Sequence, residues 1–158
     1  MIVVSDTTPL HYLVLIDEVE ILPRVLGEII IPRVVFGELQ HDHTPSKIKE
    51  YFRIPPTWLS VRQATGISDI RLEGIDRGER EAILLAEELE EDAILIDDLA
   101  GRRTAEARGL HVIGTLGLLE MAAESGFTGF LDAMFRIMDA GFFISLDLER
   151  ELMKKHDR

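Results

Sequence analysis

Short runs of consecutive apolar residues recur along the chain and are typical of strands buried on both faces, because such strands show no apolar–polar alternation. The clearest run is Ala93-Ile94-Leu95-Ile96, which is rich in β-branched residues. Similar runs predict strands over residues 2–5, 28–31 and 110–113, and residues 58–61 predict a minor edge strand. Each of these strands would contain about four residues, so the sheet is expected to be small.

Between these runs the apolar residues recur at helical spacing. Ala82, Leu85, Ala86 and Leu89 stand at i, i+3, i+4 and i+7, which predicts a helix over residues 78–91 with one buried face. Further helices are expected over residues 19–26, 33–40, 99–108, 115–126 and 147–155. Another helix is expected to follow the first strand, with Thr8 as its N-cap and Pro9 as its first residue. Alternating strands and helices predict a three-layer α/β/α fold around a short, twisted parallel sheet.

In three stretches the pattern gives a less definite prediction of structure. Residues 44–58 contain Pro45, Pro55 and Pro56 and are expected to be irregular, and residues 62–76 are expected to form an exposed connection. Near the C-terminus, a helical stripe is expected to be core and could extend into a homodimer face with Phe142 and Phe143; its members are Leu131, Met134, Phe135 and Met138.

Acidic residues follow two of the predicted strands. Asp6 comes directly after residues 2–5, and Asp97 and Asp98 come directly after residues 93–96. The carboxyl ends of parallel strands meet at one edge of a sheet, where open α/β proteins place their sites. Adjacent carboxylates repel one another and burial strengthens the repulsion, so a cation is expected there. The alternative is that one of the two aspartates only caps the following helix.

Two predicted helices add one acid each. Glu79 lies on the same face as Ala82 and Ala86, so it is expected to point towards the core, whereas Glu81 lies towards the edge of that face. Glu38 lies two turns into its helix, where a glutamate is usually solvated. The run His41-Asp42-His43 resembles metal ligands, but a solvated turn explains it more simply.

Carboxylates from separate segments, without cysteine or a convincing histidine set, predict a site whose ligands are all oxygen atoms. Such ligands suit Mg²⁺ or Mn²⁺ rather than structural zinc. A pair of these ions about 4 Å apart can activate a water and stabilise the leaving oxygen in phosphodiester cleavage.

Composition narrows the class of protein. The chain has 158 residues, which predicts a single domain over 1–158, with 142–158 as a C-terminal extension or helix. No cysteine is present, which fits a reducing cytoplasm, and no apolar run predicts a membrane span or signal peptide. The net charge of −12 argues against coating nucleic acid by bulk electrostatics and favours basic partners.

An ordered set of motifs resembles the PIN-domain family, as typified by VapC toxins and by PilT N-terminal-like proteins predicted to bind nucleic acid. The resemblance spans about residues 2–145 and rests on segments in the family's order. These are Val4-Ser5-Asp6-Thr7-Thr8-Pro9-Leu10, Ile31-Pro32 with Gly37-Glu38-Leu39, Gly78-Glu79-Arg80-Glu81-Ala82-Ile83, Leu95-Ile96-Asp97-Asp98 with Gly101-Arg102, and Ile113-Gly114-Thr115-Leu116-Gly117.

The resemblance implies a metal-dependent ribonuclease whose acidic quartet is Asp6, Glu38, Glu79 and Asp98, with Asp97 adjacent and Glu81 as the other candidate for the third acid. It implies that Thr7 or Thr8 hydrogen-bonds a ligand, and that Arg102 meets an RNA phosphate. The other basic candidates for phosphate contact are Arg33, Lys47, Lys49, Arg103 and Arg108. It also implies cleavage that leaves 5′-phosphate and 3′-hydroxyl ends, and an antitoxin partner. The apolar stripe before Phe142 and Phe143 separately favours a homodimer.

Two other functions compete with this one. A PIN-like binding module without useful turnover would use the acidic pocket to hold a basic partner segment. A phospho-acceptor receiver domain also has acids at strand ends, but it needs a lysine after a late strand. No lysine lies between Lys49 and Lys154, which argues against the receiver domain.

Overall fold

The computed structural model describes residues 2–66, 69–91 and 93–157. The predicted alternation of strands and helices is present. The elements, in chain order, are β1 (Ile2–Ser5), α1 (Thr7–Leu15), α2 (Ile21–Leu26), β2 (Glu28–Pro32), α3 (Arg33–Leu39), α4 (Ser46–Phe52), β3 (Leu59–Arg62), a 3₁₀ turn (Ile70–Leu72), α5 (Arg77–Glu88), β4 (Ala93–Leu95), α6 (Leu99–Ala107), β5 (His111–Ile113), α7 (Thr115–Glu124), α8 (Phe130–Asp139) and α9 (Leu146–His156).

The strands form one parallel sheet in the order β3-β2-β1-β4-β5. Val4 of β1 pairs with Ile30 on one side and with Ile94 on the other, so β1 is the central strand. From β1 the chain continues outwards to β2 and β3 on one side of the sheet, and from β4 it continues to β5 on the other side. A topological switch point therefore lies between their carboxyl ends, which is where open α/β sheets hold ligands.

Two apolar clusters cover the two faces of the sheet, which confirms the predicted three-layer α/β/α fold. Val3, Ile29 and Leu95 face the larger cluster, formed with α1–α4 and α7–α9. Val4, Ile30 and Ile94 face the smaller one, formed mainly with α5 and α6. Successive strand residues thus point to opposite faces, and burial on both sides explains the unbroken apolar runs.

The prediction for the start of α1 was wrong. The helix begins at Thr7, and Asp6 occupies the N-cap position with extended backbone angles. Thr8 and Pro9 are the second and third helical residues. Proline is tolerated there because the first-turn N–H groups have no partner within the helix.

Residues 44–58 are more regular than predicted, because α4 lies between the prolines and buries Ile48 and Phe52 completely. Residues 62–76 are also not simply an exposed connection in their described part. Ala64 and Leu72 are buried in the smaller apolar cluster, and a 3₁₀ turn precedes α5.

The apolar stripe of α8 is rotated from the predicted one. The buried residues are Phe130, Ala133, Met134 and Ile137. Phe130 begins the helix and moves the buried face, so Phe135 is 39% exposed rather than core. Phe143 is 85% exposed, and the predicted homodimer face remains a prediction.

The C-terminal residues return to the body of the molecule, where Ile144 and Leu152 are buried in the larger cluster. Glu120 of α7 pairs with Lys155 at 2.7 Å and His156 at 2.9 Å. Across residues 2–66, 69–91 and 93–157, every helix is too short or too polar to cross a bilayer.

Candidate active site

The topological switch point carries the acids predicted at the strand ends. Asp6 follows β1, and Asp97 and Asp98 follow β4. The backbone N–H of Asp6 donates to the carbonyl of Leu95 at 2.9 Å, which ties the two strand ends together. The strand-end acids therefore belong to one site.

Asp6 is buried at this junction, with 5% of its surface exposed. The pKa of its carboxyl group is raised from 3.8 to about 7, mainly by burial and also by the charges of Asp76, Glu38 and Asp97, against the lowering effect of a backbone hydrogen bond from Thr7. A carboxylate in this position favours a cation or a proton.

Glu38 reaches the site from α3, where it is half-buried instead of solvated. The Thr7 hydroxyl donates a hydrogen bond to its Oε2. Burial raises the pKa of Glu38, the Thr7 hydrogen bond lowers it, and the Asp76 charge raises it. Thr7, the first residue of α1, is therefore linked to an acid on another helix. Thr8 is the next residue of α1 and is half-buried.

Glu79 reaches the site from the first turn of α5 and is 5% exposed, as predicted for the core side of that helix. Its Oε2 is buried and has no hydrogen-bond partner in the described part of the chain. Its pKa is raised from 4.5 to about 8, mainly by burial and also by its proximity to Asp76, Asp6 and Asp98. Glu81 is half-buried and instead lines a pocket beside Glu38.

Two glycines allow the acids to converge. A Cβ at Gly78 would lie 2.8 Å from Glu38 Oε1 and 3.1 Å from Asp6 Oδ1. A Cβ at Gly101 would lie 2.7 Å from Glu79 Oε2. The distances of 2.8 Å and 2.7 Å are shorter than real Cβ contacts, so a side chain at either position would push the carboxylates away.

Asp97 and Asp98 have different surroundings. Asp97 accepts hydrogen bonds from the Thr115 N–H at 2.8 Å and the Thr115 hydroxyl at 2.5 Å, so both its oxygens hold the start of α7. Burial raises its pKa, against the Thr115 hydrogen bonds and the charge of Arg102. Asp98 is exposed and caps α6 by accepting from Gly101 N at 3.2 Å. One of its two oxygens thus remains for a ligand.

The two predicted phosphate-binding arginines are placed differently. A Cβ at Gly114 would lie 3.2 Å from both Arg102 Nη1 and Asp97 Oδ1, which puts the Arg102 guanidinium at the edge of the acidic site. Arg103 follows it on α6 and is exposed to solvent. Among the described residues, no hydrogen bond or ion pair joins Arg103 to the acids.

Asp76 was missed by the sequence analysis. It caps α5 by accepting from Glu79 N at 2.9 Å, and its charge raises the pKa of Asp6, Glu38 and Glu79. The sequence held a signal, because an N-cap residue followed three positions later by an acid is the pattern of a capping box. Asp76-Arg77-Gly78-Glu79 has that pattern with aspartate as the cap.

The donor chemistry of the site fits a divalent ion such as Mg²⁺ or Mn²⁺. All the converging groups are carboxylates, and two of the acids have strongly raised pKa values. One buried carboxylate oxygen also lacks a partner among the described residues. In the described ranges, however, no three histidine or acidic side chains are arranged to hold an ion directly. Several carboxylates instead face Thr7, Gly101 N and Thr115, so coordination requires some of them to rotate.

Fold and site together define an α/β protein with an acidic cluster at the switch point of its sheet. The family model for PIN domains of the DUF3368 type matches residues 2–158. The chain therefore belongs to the PIN-domain family, whose members are generally nucleases that typically use divalent metals. No curated protein and no solved structure matches the chain at significant similarity.

Proposed function

We propose that this PIN-domain protein is a Mg²⁺- or Mn²⁺-dependent endoribonuclease. The observation that carries the proposal is the convergence of Asp6, Glu38 and Glu79 at the switch point, with Glu79 Oε2 buried and unpaired within the described residues. A buried, unpaired carboxylate oxygen beside other acids is costly unless a cation or proton compensates it.

Each acid has a role in this proposal. Asp6, Glu79 and the free oxygen of Asp98 would hold the ion, and Asp97 positions the loop after β4 through Thr115. When bound, a divalent ion would stabilise the charge that develops on the phosphodiester and lower the pKa of the attacking water. Glu38, whose pKa is raised and which is held by a hydrogen bond from Thr7, would accept a proton from that water.

Cleavage assays with a mixed pool of single-stranded RNA test this proposal. We expect wild-type protein to cleave RNA when Mg²⁺ or Mn²⁺ is added, leaving 5′-phosphate ends, and to be inactive in EDTA. Asp6→Asn and Glu79→Gln should reduce cleavage at least 100-fold while keeping the circular dichroism spectrum. Arg150→Ala, an exposed change on α9, is the matched control and should cleave normally.

The proposal extends to a type II toxin that is held by a cognate antitoxin. The net charge of −12 and the acidic cluster favour a partner with a basic segment, since opposite charges steer association. If so, a lysine- and arginine-rich peptide should inhibit RNA cleavage, and inhibition should weaken as salt rises.

A catalytically weak binding module is the second candidate. It is favoured by the absence, within the described ranges, of three acids already arranged to hold an ion. In that case the basic peptide would bind wild type and not Asp6→Asn, while wild type would cleave no RNA with any divalent ion. Peptide binding together with metal-dependent cleavage would instead support the toxin.

A further inference from the structure

A pocket of about 430 Å³ lies beside the acidic cluster, and the side chain of Glu38 contributes to its wall. Its volume is in the range of small-ligand sites, which are about 300–1,000 Å³. The polar side chains that line it, besides Glu38, are Arg33, His41, Gln63, Arg77 and Glu81. The pocket therefore adjoins the acidic cluster at Glu38.

Two arginines bring positive charge to this pocket. Arg33 is the first residue of α3, the helix that carries Glu38, and Arg77 is the first residue of α5, the helix that carries Glu79. Both are exposed, and neither forms an ion pair with a carboxylate in the described residues. By contrast, Arg108 and Arg136 are held in ion pairs of 2.8 to 3.0 Å.

The remaining lining groups suit a nucleotide better than a small anion. His41 Nδ1 accepts a hydrogen bond from the backbone N–H of His43 at 3.1 Å, so a neutral ring carries its proton on Nε2 and offers a donor. Glu81 offers an acceptor and Gln63 a side-chain amide, while Pro32 and Val34 contribute apolar surface. Donors for a phosphate and an acceptor for a base amino group thus line one space.

We propose that this pocket binds the nucleotide of single-stranded RNA next to the phosphodiester that is cleaved, with Arg33 and Arg77 contacting its phosphate. This inference rests on the proposed nuclease function, because it takes Glu38 as part of the reactive site. It assigns both arginines to substrate binding, whereas the sequence indicated only Arg33 as a candidate for phosphate contact.

Binding of a fluorescein-labelled single-stranded RNA octamer tests the inference separately from cleavage. Anisotropy titrations use Asp6→Asn protein, which keeps the pocket, over 25–200 mM salt. Arg33→Ala with Arg77→Ala is compared with Arg53→Ala with Arg150→Ala, a control that removes the same charge from exposed positions outside the pocket. Circular dichroism confirms that both double variants are folded.

We expect the pocket variant to bind the octamer at least tenfold more weakly than the control. Its slope of log affinity against log salt should also become shallower by about 0.7, because the two arginines contact one phosphate and each phosphate neutralised on a single strand contributes about 0.7. Equal affinities and slopes in the two double variants, or no binding of the octamer by the Asp6→Asn parent, would overturn the inference.

RNA cleavage by the wild-type protein, measured in parallel, shows whether a negative result concerns the pocket inference or the proposed nuclease function. If RNA is cut while the two double variants bind equally, the nuclease function stands and the pocket inference fails. If the pocket variant loses binding but wild type cuts no RNA, the pocket is a binding site and the nuclease function fails.

Discussion

The carboxylate of Glu79 lies directly against the backbone of Gly101, where a Cβ would be 2.7 Å from its Oε2 and 2.7 Å from Ile96 Cδ1. The first turn of α5 and the first turn of α6 thus approach each other closely. Only a residue without a side chain at 101 leaves room for an acid on one side and a core isoleucine on the other.

Gly101→Ala tests this contact. We expect it to lower the free energy of unfolding by about 1–3 kcal/mol, as over-packing does, and to reduce metal affinity by displacing Glu79. Gly117→Ala is the control, because its Cβ meets nothing within 4 Å in helix α7 and should stabilise the protein by about 0.5–1 kcal/mol. Thermal unfolding measures both, and equal effects would contradict the account.

The raised pKa values of Asp6 and Glu79 predict a pH-dependent stability. Between the ordinary carboxyl pKa values of 3.8 and 4.5 and the raised values of about 7 and 8, the folded protein holds protons that the unfolded chain has lost. The free energy of unfolding of metal-free protein should therefore fall as pH rises from 5 to 8. A decline of several kcal/mol, on the order of 10 °C in Tm, is expected, because each pKa unit corresponds to about 1.4 kcal/mol.

Thermal melts in EDTA at several pH values check this decline, and Asp6→Asn and Glu79→Gln should each flatten it. Mg²⁺ or Mn²⁺ should raise the Tm more at pH 8 than at pH 5, because protons compete with the ion at the lower pH. A Tm of metal-free wild type that rises steadily to pH 8, with no change in the variants, would be inconsistent with buried, protonated acids.

We expect the Thr7 hydroxyl to contribute to catalysis, by orienting Glu38, rather than to the stability of the fold. Thr7→Val removes the hydrogen bond to Glu38, so the pKa of Glu38 should rise further. RNA cleavage should fall about 10- to 100-fold, as for other groups that orient a reactive side chain. Its pH profile should also shift to higher pH. Thr7→Ser keeps the hydroxyl and should restore both rate and profile; failure of this rescue would argue against the role.

We expect substitutions of the neighbouring residues Asp97 and Asp98 to have different effects, the first on stability and the second on RNA cleavage. Asp97→Asn replaces an acceptor oxygen that binds Thr115, a fully buried residue, so we expect a loss of about 1–3 kcal/mol in stability. Asp98→Asn keeps an oxygen that can cap α6, so its Tm should stay within about 2 °C of wild type while RNA cleavage is lost. Unfolding and cleavage measured on the same preparations decide between the two roles.

The sequence predicted the parts of the fold that local patterns encode. The apolar runs at β1 and β4 and the acids that follow them predicted both the central strands and one edge of the site. The helical phase of Ala82 and Ala86 predicted that Glu79 faces inwards, and the structure places it there. These features depend on neighbours in the chain, so they can be recognised without a structure.

Other features depend on contacts between distant segments. Asp76 lies in a polar stretch, and its proximity to Asp6 and Glu38 arises only when α5 packs beside β1 and α3. The phase of α8 was misjudged because Phe130, at its very start, packs into the core and determines which face is buried. The pocket arginines begin two separate helices, and no local pattern predicts that they line one pocket.

Calorimetric titration of Mn²⁺ into metal-free protein near pH 7 tests the central claim most directly. We expect saturable binding by wild type, with release of protons from the acids whose pKa values are raised, seen as a dependence of the binding enthalpy on the buffer. Asp6→Asn with Asp98→Asn should abolish both. Absence of wild-type binding at millimolar Mn²⁺ and Mg²⁺ would contradict the claim and make the acidic cluster a structural feature or a site for a basic partner.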